Sequence, residues 1–284
     1  MLWAFLFTLL FAAALTAVVR VTGLLVRRES PQPWPIALPA IFLAVTFGAW
    51  WFVTRGEPSE RMVNFTVLPS PYEVFSSFPR LHREQGLVRS AFVSFLRVNL
   101  GFLLGTLVAL PLGVYMATFP AVAAFFKPLS LVSAYVPTVI FVPLTIAWWG
   151  ATESQKIGFL AVACFVALLP LVVKTIADVP EAYLDVTVTK GATQWQLVRH
   201  VLVPVAMADI WDHLRGVYGV GWGWIIMAEL IAAEDGLGKL LNVCDKRDKP
   251  GVFAVIIVIL LLAFGCDRAW KAGGRLLFPY RQRA

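Results

Sequence analysis

Residues 178–204 read DVPEAYLDVTVTKGATQWQLVRHVLVP, a stretch too ordered to be a plain connection between apolar segments. Asp178 followed by Glu181, with Pro180 in the first turn, is a helix-start signal. Gly191 suits the left-handed stop of that helix. Thr193 with Gln196 forms a second capping box, and Pro204 is expected to end the run. The reading is helix, sharp turn, helix. On the second helix Trp195, Val198 and Val201 share one side, with Leu197 and Leu202 beside them. Outside a membrane such a patch either packs back on its own protein or lies in the groove of a partner, and spacing leaves both open.

Working outward, this polar island sits among apolar runs. The 284 residues are 59% hydrophobic and 14% charged, with a mean hydropathy of +0.77, whereas soluble domains carry roughly 25% charged residues. With 24 Lys plus Arg and 17 Asp plus Glu, the chain cannot solvate its apolar surface in water, so several stretches must face lipid. That excludes a soluble enzyme, a nucleic-acid reader and a disordered regulator. The net charge of +7 is assigned to anchoring at anionic lipid headgroups.

A bilayer core needs roughly 20 apolar residues per helix. Seven runs approach that length: 2–19, 36–53, 91–118, 129–149, 157–173, 216–233 and 252–265. The fold class is therefore an all-α polytopic membrane protein of about seven spans. The first run has no preceding basic residue and no cleavage site before Arg20, so it is kept as a membrane helix. The tail holds Arg268, Lys271, Arg275, Arg281 and Arg283 against Asp267 alone, which places it and the 178–204 loop in the cytoplasm, by a shallow margin of basic residues. Between 55 and 90, Val74, Phe78 and Leu81 share a helical face after the turn Leu68-Pro69-Ser70-Pro71, predicting a helix along the membrane surface.

Within the spans, Gly219 and Gly223 sit four apart and would allow another helix to approach closely, either within the chain or from a second copy. Glu229 reads as a gate or as a snorkelling carboxylate, and Arg97 beside Asn99 as a cation on a solute path or one reaching the interface. Arg215 reads as an anchor or a loop brace. His82, His200 and His213 are scattered on polar faces, and Cys164, Cys244 and Cys266 are widely spaced, so neither a metal site nor a disulfide framework is read. The chain contains no HExxH, GxSxG or phosphate-cradling GxxxxGK[ST]. Energy for any transport would have to come from a partner.

Gly191 followed thirteen residues later by Pro204, with Val201 and Val203 before it, resembles the coupling-loop motif of bacterial ABC importer permeases, the binding-protein-dependent inner-membrane components. At the front of the motif, Asp185-Val186-Thr187 stands where the family has Glu-Ala-Ala. Leu68-Pro-Ser-Pro-Tyr-Glu-Val74 is similar to the segment preceding the core in the nitrate, sulfonate, taurine and bicarbonate group. Leu214-Arg215, Gly219, Trp222, Ala228-Glu229-Leu230 and Gly236-Leu237-Gly238 look like that group's post-loop span and outer turn, and Pro137, Pro143, Trp148, Gly150 and Lys156 like its middle spans. The resemblance covers roughly residues 68 to 250.

The resemblance implies a type I ABC importer transmembrane domain. Its parts would be an extra membrane helix and linker at 1–33, a first span and periplasmic surface helix at 34–90, a core at 91–270 and a basic tail at 271–284. It implies a permease in a bacterial inner membrane, with no catalytic or metal site, passing a small anionic solute from a periplasmic binding protein to the cytoplasm. ATP and Mg would belong to a cytoplasmic ATPase dimer, and a second permease copy would complete one central pathway. Asp185, Gly191, Trp195, Val201 and Pro204 would couple to the ATPase; Arg97, Asn99, Tyr218, Trp222 and Glu229 would line or gate the pathway. A lipid-directed membrane enzyme needs convergent His, Asp or Glu at one depth, and an ion-driven carrier needs inverted repeats and several buried carboxylates. Neither pattern is visible here.

Overall fold

The computed structural model describes residues 34–57 and 61–282, and among them every regular element is helical. The predicted helix at 2–19 lies outside the described residues. The chain divides into two compact units at Pro71 and Tyr72. In the first, α1 (Trp34–Val53) is apolar all round and exposes Ile36, Phe42, Leu43, Val45 and Trp51, a surface suited to lipid. The segment beyond α1 turns back on it, with the Trp50 indole donating to the Pro69 carbonyl at 2.8 Å.

The second unit begins with α2 (Pro71–Glu84), a helix where the sequence predicted one. It buries Val74, Ser77 and Leu81 and exposes Tyr72 and Phe75. Its core is built by α3 (Leu87–Thr118), α6 (Glu153–Ala177) and α9 (Val203–Ala232). Along α3, Gly101, Gly105, Ala109 and Gly113 recur every fourth residue and are all buried. A methyl group on Gly101 would stand 2.7 Å from the Leu160 side chain, and one on Gly105 2.5 Å from the Ala161 carbonyl. One on Gly113 would stand 2.6 Å from Val172. The stripe of small residues lets α3 and α6 meet backbone to backbone. Gly219 and Gly223, which the spacing offered to a helix of this chain or of a second copy, have open space where a side chain would be, among the described residues.

The expected span 129–149 is two pieces. It separates into α4 (Pro120–Tyr135) and α5 (Phe141–Trp149), joined by a 3-10 turn at Thr138–Ile140. Pro137 supplies no amide hydrogen and pushes its predecessor out of the helical region, so an apolar run long enough to span breaks where its ladder fails. Below the break Val142 packs with Phe159 and Ala228, joining α5 to α6 and α9.

The remaining elements are α7 (Glu181–Thr189), α8 (Gln194–Leu197), α10 (Leu237–Arg247) and α11 (Lys249–Leu277). Four described helices are long and apolar enough to cross a membrane: 36–53, Leu87–Thr118, Glu153–Ala177 and Lys249–Leu277. The expected span 216–233 forms the second half of α9, whose first half carries Asp209, Asp212 and Arg215.

Candidate functional site

The helical loop begins differently from its sequence reading. Asp178 ends α6, with its amide bonded to the Lys174 carbonyl at 2.9 Å, and α7 starts at Glu181 after Pro180 with no side-chain cap. Asp178 is held too tightly by the preceding helix to cap the next one. The turn follows expectation: Gly191 has φ +75°, its amide donates to the Val188 carbonyl at 2.9 Å, and that of Ala192 reaches back to Thr187 at 3.3 Å. These two bonds are the Schellman closure of a helix. The Thr193 hydroxyl then accepts from the Gln196 amide, and the Gln196 side chain accepts from the Thr193 amide.

Pro204 does not end the second helix. The chain passes from α8 through a single π turn at Val198–Leu202 directly into α9, so residues 194–232 form one continuous rod. A proline removes one rung from an α ladder; a widened turn just before it absorbs the mismatch without a break. The apolar patch is divided between its two possible roles. Val198 and Leu202 are buried against the chain, while Trp195 is 54% exposed and stacks on Tyr115 at 6.4 Å. Tyr183, Val186 and Val188 also face outward, as does Asp185. Between the two short helices, Ala182, Tyr183, Val186, Thr187 and Val201 line a shallow cavity of about 430 Å³.

At the other end of α9, Arg97 and Glu229 meet. Glu229 is fully buried and Arg97 is 3% exposed. The guanidinium binds Glu229 Oε1 at 2.7 Å through Nη1, the Asp235 carbonyl at 2.7 Å through the same nitrogen, and both oxygens of Glu153 at 2.7 and 2.6 Å through Nε and Nη2. Lys156 Nζ completes the group 3.2 Å from Glu153. The Ser94 hydroxyl lies 2.8 Å from both Glu229 oxygens and accepts from the Leu237 amide, while the Gly238 amide donates to Glu229 Oε2 at 2.8 Å. Two cations thus balance two carboxylates, and the remaining lone pairs of Glu229 are met by donors, the condition under which buried charge is tolerated.

The turn preceding α10 is shaped to this knot. Gly236 has φ +114°, and a side chain there would begin 2.6 Å from both Arg97 Nη1 and the Glu229 carboxyl. A side chain on Gly238 would begin 2.5 Å from Glu229 Cβ. The sequence singled out Arg97, Lys156, Glu229 and the two glycines without joining them, and missed Ser94 and Glu153. The pairs Ser94–Arg97 and Glu153–Lys156, each three apart on a helix, were the available signal.

Deeper along α9, Tyr218 and Trp222 are buried. Tyr218 packs edge-on to Phe102 at 5.2 Å, and its hydroxyl reaches Asn99 Oδ1 at 3.4 Å; Asn99 in turn donates to the Phe95 carbonyl. Trp222 lies tilted against Phe95 at 6.5 Å. Arg215 binds Asp267 with two bonds of 2.6 and 3.0 Å, bracing α9 to α11 rather than to the loop.

Comparison with known proteins agrees with this architecture. A probable ABC transporter permease protein of Brucella abortus is 28% identical over 88% of this chain and 97% of its own length. The taurine transport system permease protein TauC of Escherichia coli is 27% identical over 87% and 92%. The putative aliphatic sulfonates transport permease protein SsuC of Bacillus subtilis is 26% identical over 87% of each chain. Among solved structures, a chain of the inward-facing MetNI methionine ABC transporter superposes with a TM-score of 0.60 at 20% identity, over 67% of this chain and 95% of that one. At that identity the likeness speaks for the fold, that of a type I importer permease. Residues 109–270 match the family described as binding-protein-dependent transport system inner membrane component, and the chain belongs to that family.

Proposed function

We propose that this permease passes a small solute carrying an anionic sulfonate group, taurine among them, from a periplasmic binding protein through a bacterial inner membrane, driven by an ATPase pair held at the 178–204 loop. The observation that carries the reading is the rod at 194–232: a segment with exposed Trp195 at one end runs unbroken into the helix that holds Tyr218, Trp222 and Glu229. The solute class is supported by the likeness to TauC and SsuC.

In this reading the ATPase supplies ATP and Mg, and its closure pushes Asp185, Trp195 and Val201 while the Gly191 turn keeps the two short helices at a fixed angle. Pro204, passed through a π turn, lets the push travel into α9. A ligand-driven switch needs a difference in energy between two states, and the partner provides it. Arg97 and Glu229 act here as a closed gate element, because the guanidinium is already occupied by two carboxylates. Asn99, Tyr218 and Trp222 form the layer beneath. The open face at Gly216, Gly219 and Gly223 suits a second permease copy across the central pathway.

The test is ATPase activity of the complex reconstituted with its ATPase and binding protein. Taurine or another sulfonate should stimulate hydrolysis; stimulation confined to solutes that carry no sulfonate group would overturn the solute class. Gly191→Val places a branched side chain at φ +75° in open space, distorting the turn without a clash. Hydrolysis should continue while uptake is lost, and normally coupled uptake would refute the lever.

A further inference from the structure

Near the loop end of α9, the chain builds a second polar site that the transport reading does not use. Ala208, Trp211, Asp212 and Arg215 of α9 face Lys271, Gly274 and Arg275 of α11 and Phe278 beyond it, around a cavity of about 170 Å³. Two glycines make the space. A side chain on Gly274 would begin 2.8 Å from Trp211 Nε1, and one on Gly273 3.1 Å from the same ring. The Nε1 edge of the indole therefore sits against the α11 backbone, its nitrogen donating to the Trp270 carbonyl at 3.1 Å. Three cations line this cavity against one acid, Asp212; Asp267, outside the lining, holds Arg215 from behind.

The surface around the cavity says where it lies in a membrane. On α11, Leu260, Leu261 and Phe264 are 56–64% exposed and form an apolar, lipid-suited face. Arg268 then lies over the Phe264 ring at 4.7 Å, and Lys271 follows about 10 Å beyond Phe264 at 1.5 Å per residue. Trp211, Trp270, Phe278 and Tyr280 cluster at that level with centroid separations of 4.6–6.1 Å. Apolar face, aromatic belt and cations in that order mark the change from hydrocarbon to headgroups. A partly open pocket at that boundary, positive in balance beside an apolar face, suits a phosphate carrying acyl chains.

We infer that the cavity between α9 and α11 binds the phosphate headgroup of an anionic phospholipid, with Arg215, Lys271 and Arg275 facing the phosphate and Leu260, Leu261 and Phe264 along the acyl chains. A free phosphate shares the headgroup chemistry but gains nothing from the apolar track. Because the site braces the same α9 that carries the loop, a bound lipid steadies that end of the rod.

The full chain, purified in detergent, would be exposed to phosphatidylglycerol, to phosphatidylcholine with the same acyl chains, and to inorganic phosphate, with bound lipid counted by native mass spectrometry. Phosphatidylglycerol should be retained in preference to phosphatidylcholine. Lys271→Gln should cut that preference about fivefold, the worth of one cation near anionic headgroups, and Lys271→Arg should restore it. Adding Arg275→Gln should remove most of what is left, while Lys239→Gln, on α10 and outside the cavity lining, should change it little. Equal retention of the two lipids, or no change in Lys271→Gln, overturns the site; displacement of the lipid by millimolar phosphate overturns the lipid assignment. Each variant's thermal midpoint in phosphatidylcholine micelles separates lost binding from lost fold. As a mutation-free check, phosphatidylglycerol but not phosphate should raise the wild-type midpoint.

Discussion

The two ends of α9 solve opposite problems. At Glu229 the chain buries charge and satisfies it: the carboxylate is fully enclosed and bonded by Arg97, Ser94 and the Gly238 amide. At the loop it leaves Tyr183, Val186, Val188 and Trp195 exposed on a frame of one capping box and a closed turn. About 39 Å of helix separates Val203 from Glu229 at 1.5 Å per residue. A buried, fully bonded knot is informative about stability; an exposed apolar frame is informative about partners. Changes at the knot should therefore unfold or unlock the protein, and changes at the loop should leave the fold standing and show in partnership.

The largest effect is expected at the knot itself. Glu229→Gln leaves the guanidinium with one carboxylate and the Ser94 and Gly238 donors facing an amide, so a loss of about 3–5 kcal/mol is expected, as for one partner removed from a buried pair. A fall in the thermal midpoint in detergent reads it. Arg97→Gln combined with Glu229→Gln should cost less than the sum of the single changes, because neither charge is then stranded. Full additivity would mean that the pair does not act as a unit. Next comes Gly236→Ala. At φ +114°, with a methyl 2.6 Å from Arg97 and Glu229, the substitution combines backbone strain with steric pressure on the knot, and a loss of about 1–3 kcal/mol follows from the strain alone. The same change at Gly216, where a methyl meets nothing, should leave the midpoint unchanged.

How much of this was legible follows the range of each signal. The Gly191 stop and the Thr193–Gln196 box formed as read because their donors and acceptors lie within five residues of one another. The helix α2 formed because Val74, Phe78 and Leu81 repeat at the helical period. Readings failed where a local sign depended on a distant partner. Gly219 and Gly223 have the same spacing as Gly101 and Gly105, yet among the described residues the α3 pair alone meets another helix; spacing left a helix of this chain or of a second copy open for Gly219 and Gly223, and nothing local chooses between them. Pro137 and Pro204 carry the same local warning, and one breaks its helix while the other is passed by a π turn. Glu229 was visible as a charge in a span; that Arg97, 132 residues away, would bind it was not.

Smaller effects belong to the loop and test the other half of the contrast. Thr193→Ala removes the acceptor for the Gln196 amide and should cost about 1 kcal/mol locally. Hydrogen exchange of amides 194–197 should rise while that of α3 and α6 stays unchanged. Were the loss to spread to α3, the loop would be part of the core and not a frame standing on it.

Trp195→Ala is the smallest change for the fold and the sharpest for function. The ring is 54% exposed and makes one aromatic contact, with Tyr115 at 6.4 Å, near the outer limit for such pairs. Removing it should shift the midpoint by no more than about 0.5 kcal/mol would, as for an ordinary surface substitution. A large aromatic held in place on a capped frame is also the residue type that anchors protein interfaces, where its truncation costs about 2 kcal/mol or more. Co-purification of the ATPase with the Trp195→Ala permease should therefore fall by an order of magnitude or more, while the permease itself keeps its midpoint. If both quantities stayed at wild-type values, the exposed apolar surface of the loop would have to make its contacts through Tyr183 and Val186 instead.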